Sequence, residues 1–341
     1  MRRAISAALG LFGGAQAQTW MLHSSGTPAS LRGVSVVSAK IVWASGTRGT
    51  YLESTDGGAS FRVAVVPGAE QLDFRGVHAF DQRTAYLLSS GEGDKSRIYK
   101  TIDGGMHWTL QFTNSDAKGF FDALAFWDAR RGMVLGDPVD GRFVILTTGD
   151  GGEHWIRERG PPALPQEGAF AASNSCLTVL GEREAWFASA RVFHTMDGGK
   201  TWTVASTPIR NDSASAGIFS LAFSDAKHGV AVGGDYNKAS EVLHNVAITS
   251  DGGETWTEPS GMRPSGYRSA VAFLKTHGIW IATGPSGSDV SIDNGNTWKT
   301  FDSGSYNALS FEPGGRGWAV GPKGRVAEFK GSEAKARAPL R

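Results

Sequence analysis

One string recurs six times along the chain: STDGGASF from Ser54, TIDGGMHW from Thr101, TGDGGEHW from Thr148, TMDGGKTW from Thr195, TSDGGETW from Thr249 and SIDNGNTW from Ser291. The common pattern is Ser or Thr, any residue, Asp, Gly or Asn, Gly, two variable residues, then Trp or Phe. Its aspartates, Asp56, Asp103, Asp150, Asp197, Asp251 and Asp293, are spaced by 47, 47, 47, 54 and 42 residues. A period in the forties marks an array of one supersecondary unit whose copies bury a continuous core by stacking.

The content of the unit follows from its second copy. Short apolar runs at Gly76–Phe80, Ala85–Leu88, Ile98–Thr101 and Trp108–Gln111 are separated by turn-rich segments, and no helical periodicity intervenes. Four short strands per repeat is one propeller blade. Counting second strands, marked by Trp43, Tyr86, Met133, Trp186, Val230, Trp280 and Trp318, gives seven blades. The last unit, from Tyr306 to about Phe329, has three strands and no aspartate turn. Gln18–Leu22 resembles the segment after each box, with Trp20 in the box-tryptophan position. The reading is therefore an all-β, seven-bladed β-propeller of four-stranded antiparallel blades over 18–330, its ring closed by the N-terminal strand so that no sheet edge is left free there.

Glycine makes up 46 of 341 residues, about twice the usual share, and the repeat accounts for much of it. Lysine plus arginine (34) and aspartate plus glutamate (33) nearly cancel, which argues against a general nucleic-acid binder. The single cysteine, Cys176, excludes an internal disulfide or a CxxC site and reads as a buried, inert thiol. No metal-ligand spacing appears among the eight histidines, and phosphate and nucleotide motifs are absent, so no metal or cofactor is expected. Residues 1–17, MRRAISAALGLFGGAQA, read as a Sec-type signal peptide rather than a frayed helix, with Ala15-Gln16-Ala17 as the cleavage site. The apolar run is too short to span a bilayer, and no other run approaches that length. The expectation is an exported protein, periplasmic or extracellular, with a disordered basic tail at 331–341; oligomeric state is open.

The strings resemble the Asp-box, or BNR, repeat of sialidases, sortilin-type receptors and the photosystem II assembly factors of the Ycf48 and Hcf136 type. The resemblance covers nearly the whole chain after residue 17. In each box the carboxylate can accept from turn amides, glycine supplies positive φ, and the aromatic packs between blades, so Asp56, Asp103, Asp150, Asp197, Asp251 and Asp293 are structural. Six equivalent turns cannot converge on one substrate. His107 and His154 hold the slot of Thr201, Thr255 and Thr297 and read as turn residues.

By analogy with the fold, binding residues belong on the face where first strands begin and second strands meet third. Aligning the blade openings places Arg32, Arg75, Phe121, Ser175, Ile218, Arg268 and Tyr306 together. Because blades six, seven, one and two are consecutive around the ring, Arg268, Tyr306, Arg32 and Arg75 would form a basic crescent beside the channel. Either these guanidiniums grip a protein or anionic ligand, or each pairs with a loop acid such as Asp122, Asp137 or Glu167. Ycf48-like proteins carry an arginine-rich patch on this sort of surface, and LRGV (Leu31–Val34) and FRGV (Phe74–Val77) look like their blade openings; later blades depart from the pattern. Three more features break the repeat: the connection Gly136–Arg142, the long connection of blade five with Asp235 and Tyr236, and the stretch EGAFAASNS (Glu167–Ser175), which contains Asn174.

The likeness to sialidases implies an alternative. Their arginine cluster, tyrosine nucleophile with a glutamate, and acid/base aspartate have candidate counterparts in Arg32, Arg75 and Arg268, in Tyr236, Tyr267 or Tyr306, in Glu167, and in Asp122 or Asp137. The family's Phe/Tyr-Arg-Ile-Pro motif is missing, because Gly33-Val34 follows Arg32. The favoured expectation is a non-enzymatic propeller that binds a protein partner or anionic ligand at its channel face; the alternative is a glycoside hydrolase acting there.

Overall fold

A computed structural model describes residues 18–331. The expectations for 1–17 and for the tail lie outside the described residues, apart from Gly331. Seven antiparallel sheets follow one another: Leu31–Val65, Phe74–Thr113, Phe121–Glu158, Leu177–Ala205, Ala216–Thr249, Ala270–Asp302, and Ala308–Lys330 with Thr19–His23. The chain forms a seven-bladed β-propeller. Thr19–His23 pairs with Val326–Lys330 in register, Trp20 opposite Phe329, as the outer strand of blade seven. Trp20 donates its indole N–H to Ser288 of blade six at 2.9 Å and packs on Tyr306, Phe329 and Phe301. The two ends of the chain thus share one sheet.

Blade five differs from its neighbours. Its sheet has three strands, and the outer one is reduced to the bridge Ile248↔Thr257. Pro259, two residues further on, has no N–H to continue the ladder.

The six boxes share one geometry. The Ser or Thr hydroxyl donates to the Asp Oδ1 at 2.7–2.9 Å and accepts the amide of the second glycine at 2.8–3.0 Å. The amide four residues after the Asp donates to that same Oδ1 at 2.8–3.0 Å. In two boxes that residue is His107 or His154, whose Nδ1 meets the other carboxylate oxygen at 2.7 Å. The amide and ring of His107 hold Asp103 down to about 2. These carboxylates are tied within their turns.

Both positions after the Asp have positive φ, from Gly57 (76°) and Gly58 (85°) to Asn294 (57°) and Gly295 (81°). Asn tolerates that region best among residues with a side chain, which explains the one non-glycine. The second glycine also lies against a side chain of the preceding blade. A Cβ on Gly58 would stand 2.0 Å from Trp318, one on Gly105 2.8 Å from Tyr51, one on Gly199 2.6 Å from Met133 and one on Gly295 2.7 Å from Val230. Several of these contacts are hydrogen-bonded: Tyr86 donates its hydroxyl to Gly151 O at 2.6 Å and Trp186 its indole to Gly252 O at 2.8 Å.

Gly58→Ala therefore combines a left-handed backbone with overlap on Trp318. We expect it to destabilise by about 2–5 kcal/mol in urea unfolding, against about 1 kcal/mol for Gly68→Ala, which has φ +77 but no atom within 4 Å of the added Cβ. Equal costs would show that the joint between blades does not depend on the missing side chain.

Candidate functional site

The first strands of four blades carry a register shift near their start: between Leu31 and Gly33, Phe74 and Gly76, Phe121 and Ala123, and Ile218 and Ser220. The skipped residues are Arg32, Arg75, Asp122 and Phe219. A β-bulge leaves one residue out of the ladder and re-aims its side chain. All four line one cavity of about 480 Å³, together with Ser269 and Asn307, which immediately precede the first strands of blades six and seven. Asp137, Phe170, Tyr236 and Tyr267 complete much of the wall.

This register corrects the arginine crescent. Leu31, Ile218, Arg268 and Tyr306 are the equivalent residues, since each amide donates to a carbonyl of the preceding blade: Gly321, Ser189, Gly233 and Gly284, at 2.9–3.1 Å. Arg268 and Tyr306 stand one residue before the position of Arg32, and a one-residue slip reverses the face a side chain takes. Arg268 is fully buried and paired with Asp289 at 2.6 Å, and it also donates to Ser265, Ser286 and the Tyr267 carbonyl. Burial lowers its pKa while Asp289 holds its charge. Tyr306 is buried under Trp20, with the Arg325 guanidinium 5.4 Å from its ring centre. Neither lines the cavity.

The remaining candidates separate into two sets. Arg32, Arg75, Asp122, Asp137, Tyr236 and Tyr267 converge on the cavity. Asp235 does not; it is buried and caps the short turn Tyr236–Lys238 by accepting the Asn237 amide at 3.0 Å, which sets the place of Tyr236. Glu167 is paired with Arg191 at 2.6 Å and accepts the Ser189 hydroxyl. Burial pushes the Glu167 carboxyl up, but Arg191 and these donors outweigh it and hold it low. Asn174, with φ 66°, clasps Leu124 at both ends, its Oδ1 accepting the amide and its Nδ2 donating to the carbonyl.

The Glu167–Ser175 stretch is a strap tied to five blades. Glu167 holds Arg191 of blade four, the Ala169 amide donates to Asp137 at 2.8 Å, and Ala171 O accepts from Arg75. Ser173 donates to Ser269 O, Ser175 pairs with Ser220, and Phe170 stacks on Phe219 with centroids 3.9 Å apart. Sequence reasoning missed Phe170, Phe219, Ser269 and Asn307. Aligning LRGV and FRGV with FDAL and IFSL, instead of one residue earlier, would have found Phe219 and put Asp122 at the position of Arg32.

The charges in the cavity are unequally satisfied. Arg75 is committed to Asp73 at 2.8 Å and to Ala171 O. Arg32 takes part in no ion pair among the described residues, and its Nε is buried without a hydrogen-bond partner. Burial, with the charge of Arg75, lowers its pKa. Asp122 is 1% exposed, and neither carboxyl oxygen has a hydrogen-bond partner among the described residues. Burial, then the neighbouring Asp137, push it well above the ordinary carboxylate range, against the pull of Arg75. Burial likewise raises Asp137 to about 6 despite the Ala169 amide. No cluster of three or more potential metal ligands occurs among the described residues, nor a helix long and apolar enough to cross a membrane.

No family model matches the chain. A search of curated proteins finds the photosystem II assembly lipoprotein Ycf48 of Synechococcus sp. (strain CC9902), 24% identical over 259 residues, covering 64% of this chain and 73% of that protein. The photosystem II assembly protein Ycf48 of Synechococcus sp. (strain JA-2-3B'a(2-13)) is 23% identical over 303 residues, covering 85% and 82%. The chain is Ycf48-like in sequence and in fold. Among solved structures, YCF48 bound to D1 peptide superposes with a TM-score of 0.66 at 15% identity, covering 92% of this chain and 95% of that one. At that identity the superposition speaks for the propeller alone.

The raised acids predict a pH dependence. The folded pKa of Asp137, about 6, lies above its ordinary 3.8, so the charged form opposes folding. That cost is present in full above about pH 6 and fades as pH falls toward 3.8. We expect Asp137→Asn and Asp122→Asn each to raise Tm by a few degrees at neutral pH, with the gain shrinking in acid. A lower Tm at neutral pH would mean that these carboxylates support the fold.

Proposed function

We propose that this chain is a non-enzymatic protein-binding propeller that holds a segment of a partner at its channel mouth, and that it acts after export. The observation that carries the reading is Arg32, a half-buried guanidinium at the cavity wall with its Nε unsatisfied and no acid paired to it. Leaving a donor buried and unmet costs free energy unless a ligand completes it. The aromatic wall of Phe170, Phe219 and Tyr267, with centroids 3.9 and 4.7 Å apart, offers a rigid apolar surface beside it. A solved relative in fold is titled as bound to a D1 peptide, and the 1–17 segment reads as an export signal; both support the proposal by analogy.

A glycan-active enzyme is the second reading, favoured by one observation. Burial raises the carboxyl of Asp122 well above the ordinary range beside Asp137, which is raised to about 6, and paired acids in unequal environments are what acid–base hydrolysis uses. Against it, Tyr306 and Arg268 are withdrawn from the cavity and Glu167 is locked to Arg191.

A pull-down from cell-envelope extract separates the readings. Wild-type protein should retain a defined set of proteins that the Arg32→Ala variant loses, while both melt at similar temperatures. Identical retention by the two would remove the channel face from consideration. Hydrolysis of an aryl-glycoside panel, abolished in Asp122→Asn, would select the enzyme instead.

A further inference from the structure

Asp122 stands apart from the other buried acids of the molecule. Asp289 has Arg268, Glu53 has Arg62, Glu328 has Lys330, and Asp235 has the Asn237 amide. Among the described residues neither Asp122 oxygen has a hydrogen-bond partner, the nearby Asp137 amide being given to Phe120 O at 2.8 Å, although the bulge in its strand aims it at the cavity. The charged and titratable groups around it are Asp137, Arg75 and the Cys176 thiol. Arg75 is already held by Asp73 and Ala171 O, and Cys176 is buried. Among the described residues no side chain hydrogen-bonds either Asp122 oxygen, and Asp137 accepts only the Ala169 amide.

Asp137 belongs both to the channel cavity and to an adjoining one of about 610 Å³, lined by Lys118, Pro138, Leu164, Pro165 and Glu167. In the channel cavity itself, the arginines of blades one and two are followed by the two acids of blade three, with Phe170 and Phe219 on the facing wall. Among the described residues, Arg32 Nε and both Asp122 oxygens lack a hydrogen-bond partner, and the nearest opposite charges, Asp73 and Arg75, are paired with each other. An extended chain with groups of both signs fits that distribution, and a purely acidic one does not.

We propose that the channel cavity recognises a peptide segment carrying a cationic side chain and an acidic side chain, the cation lodged at Asp122 and Asp137 and the carboxylate on Arg32. This rests on the protein-binding reading above and names the chemistry of its occupant. The cation supplies the donors that Asp122 lacks, and an ammonium or guanidinium between two carboxyl groups relieves the repulsion that ionising both would create. An apolar residue of the same segment meets Phe170, Phe219 and Tyr267 on the facing wall. Binding of the cation displaces protons from the acids, so complex formation releases protons to the buffer.

The test is an array of random hexapeptides with blocked termini, probed with the purified protein. Wild type should retain peptides enriched in Lys or Arg together with Asp or Glu. Asp122→Asn with Asp137→Asn should lose the basic enrichment and keep the acidic one; Arg32→Ala should do the reverse. Both variants remove buried charge, and a melting curve establishes that they fold. For the best peptide, replacing its Lys by norleucine should weaken binding about tenfold or more in wild type and little in the Asn variant. Calorimetry in phosphate and in Tris should differ by the heat of the protons released. Enrichment in acidic residues alone, unchanged in the Asn variants, overturns this inference and leaves the protein-binding proposal standing. Retention of no peptide at all overturns both.

Discussion

Each blade meets the next through a joint in which a side chain of one blade lies under the second glycine of the following blade's box. Trp318 under Gly58, Tyr51 under Gly105, Met133 under Gly199 and Val230 under Gly295 are instances of it. The box exists to present that glycine. The aspartate fixes the turn, the two left-handed positions bring its backbone flat against the neighbour, and the absent Cβ leaves room for an indole, a phenol or a thioether. Residues that mark second strands, such as Tyr86 and Trp186, also bond box carbonyls of the next blade. The same contact therefore sets the period of the sequence and the angle between blades. Blade seven has no box, and Trp20, bonded to Ser288 of blade six, seals the corresponding seam with a strand from the other end of the chain.

A ring fixed at its outer edge leaves its inner strands free to vary, and this is where the chain differs from blade to blade. The residues at or beside the bulge give the channel mouth Arg32 and Arg75 from blades one and two, Asp122 from blade three, Phe219 from blade five, Ser269 from blade six and Asn307 from blade seven. Blade four contributes the strap instead of a bulge residue. The outcome is a cavity with positive charge on one arc, acid on the next and aromatic surface opposite. Symmetry in the scaffold produces no symmetry in the site.

Much of the fold was legible because the box is a local motif: its aspartates, glycines and aromatic all act within eight residues or on an adjacent blade, so six copies expose seven blades and the closing strand. The three-stranded blade five was less visible, since Pro259 falls just past an intact box. The site was legible in part. Arg32, Arg75, Asp122, Asp137, Tyr236 and Tyr267 could be named from blade openings and irregular loops, but Arg268 and Tyr306 were placed with them through a slip of one residue in blades six and seven. That slip reverses the face of the strand, and only the inter-blade hydrogen bonds of Leu31, Ile218, Arg268 and Tyr306 fix it. Partners from distant sequence were out of reach as well: nothing in the string links Arg268 to Asp289, or Ser173 to Ser269.

The cost of the cavity bears on how far a Ycf48-like scaffold predicts its ligand. Two carboxyl groups raised by burial and a guanidinium lowered by it oppose folding at neutral pH, and no described side chain offsets them fully. A rigid ring with many equivalent joints tolerates such a load, because its stability is spread over seven interfaces and is not concentrated at the mouth. Selection for stability alone would replace Asp122 with an apolar residue, as Phe219 does at the same position of blade five. The scaffold therefore accounts for the joints and leaves the bulge residues open. The joints constrain the box glycines and the side chains beneath them, whereas the bulge position takes Arg, Asp or Phe in different blades at no cost to the seam, so relatives that share the boxes are free to differ at Arg32 and Asp122.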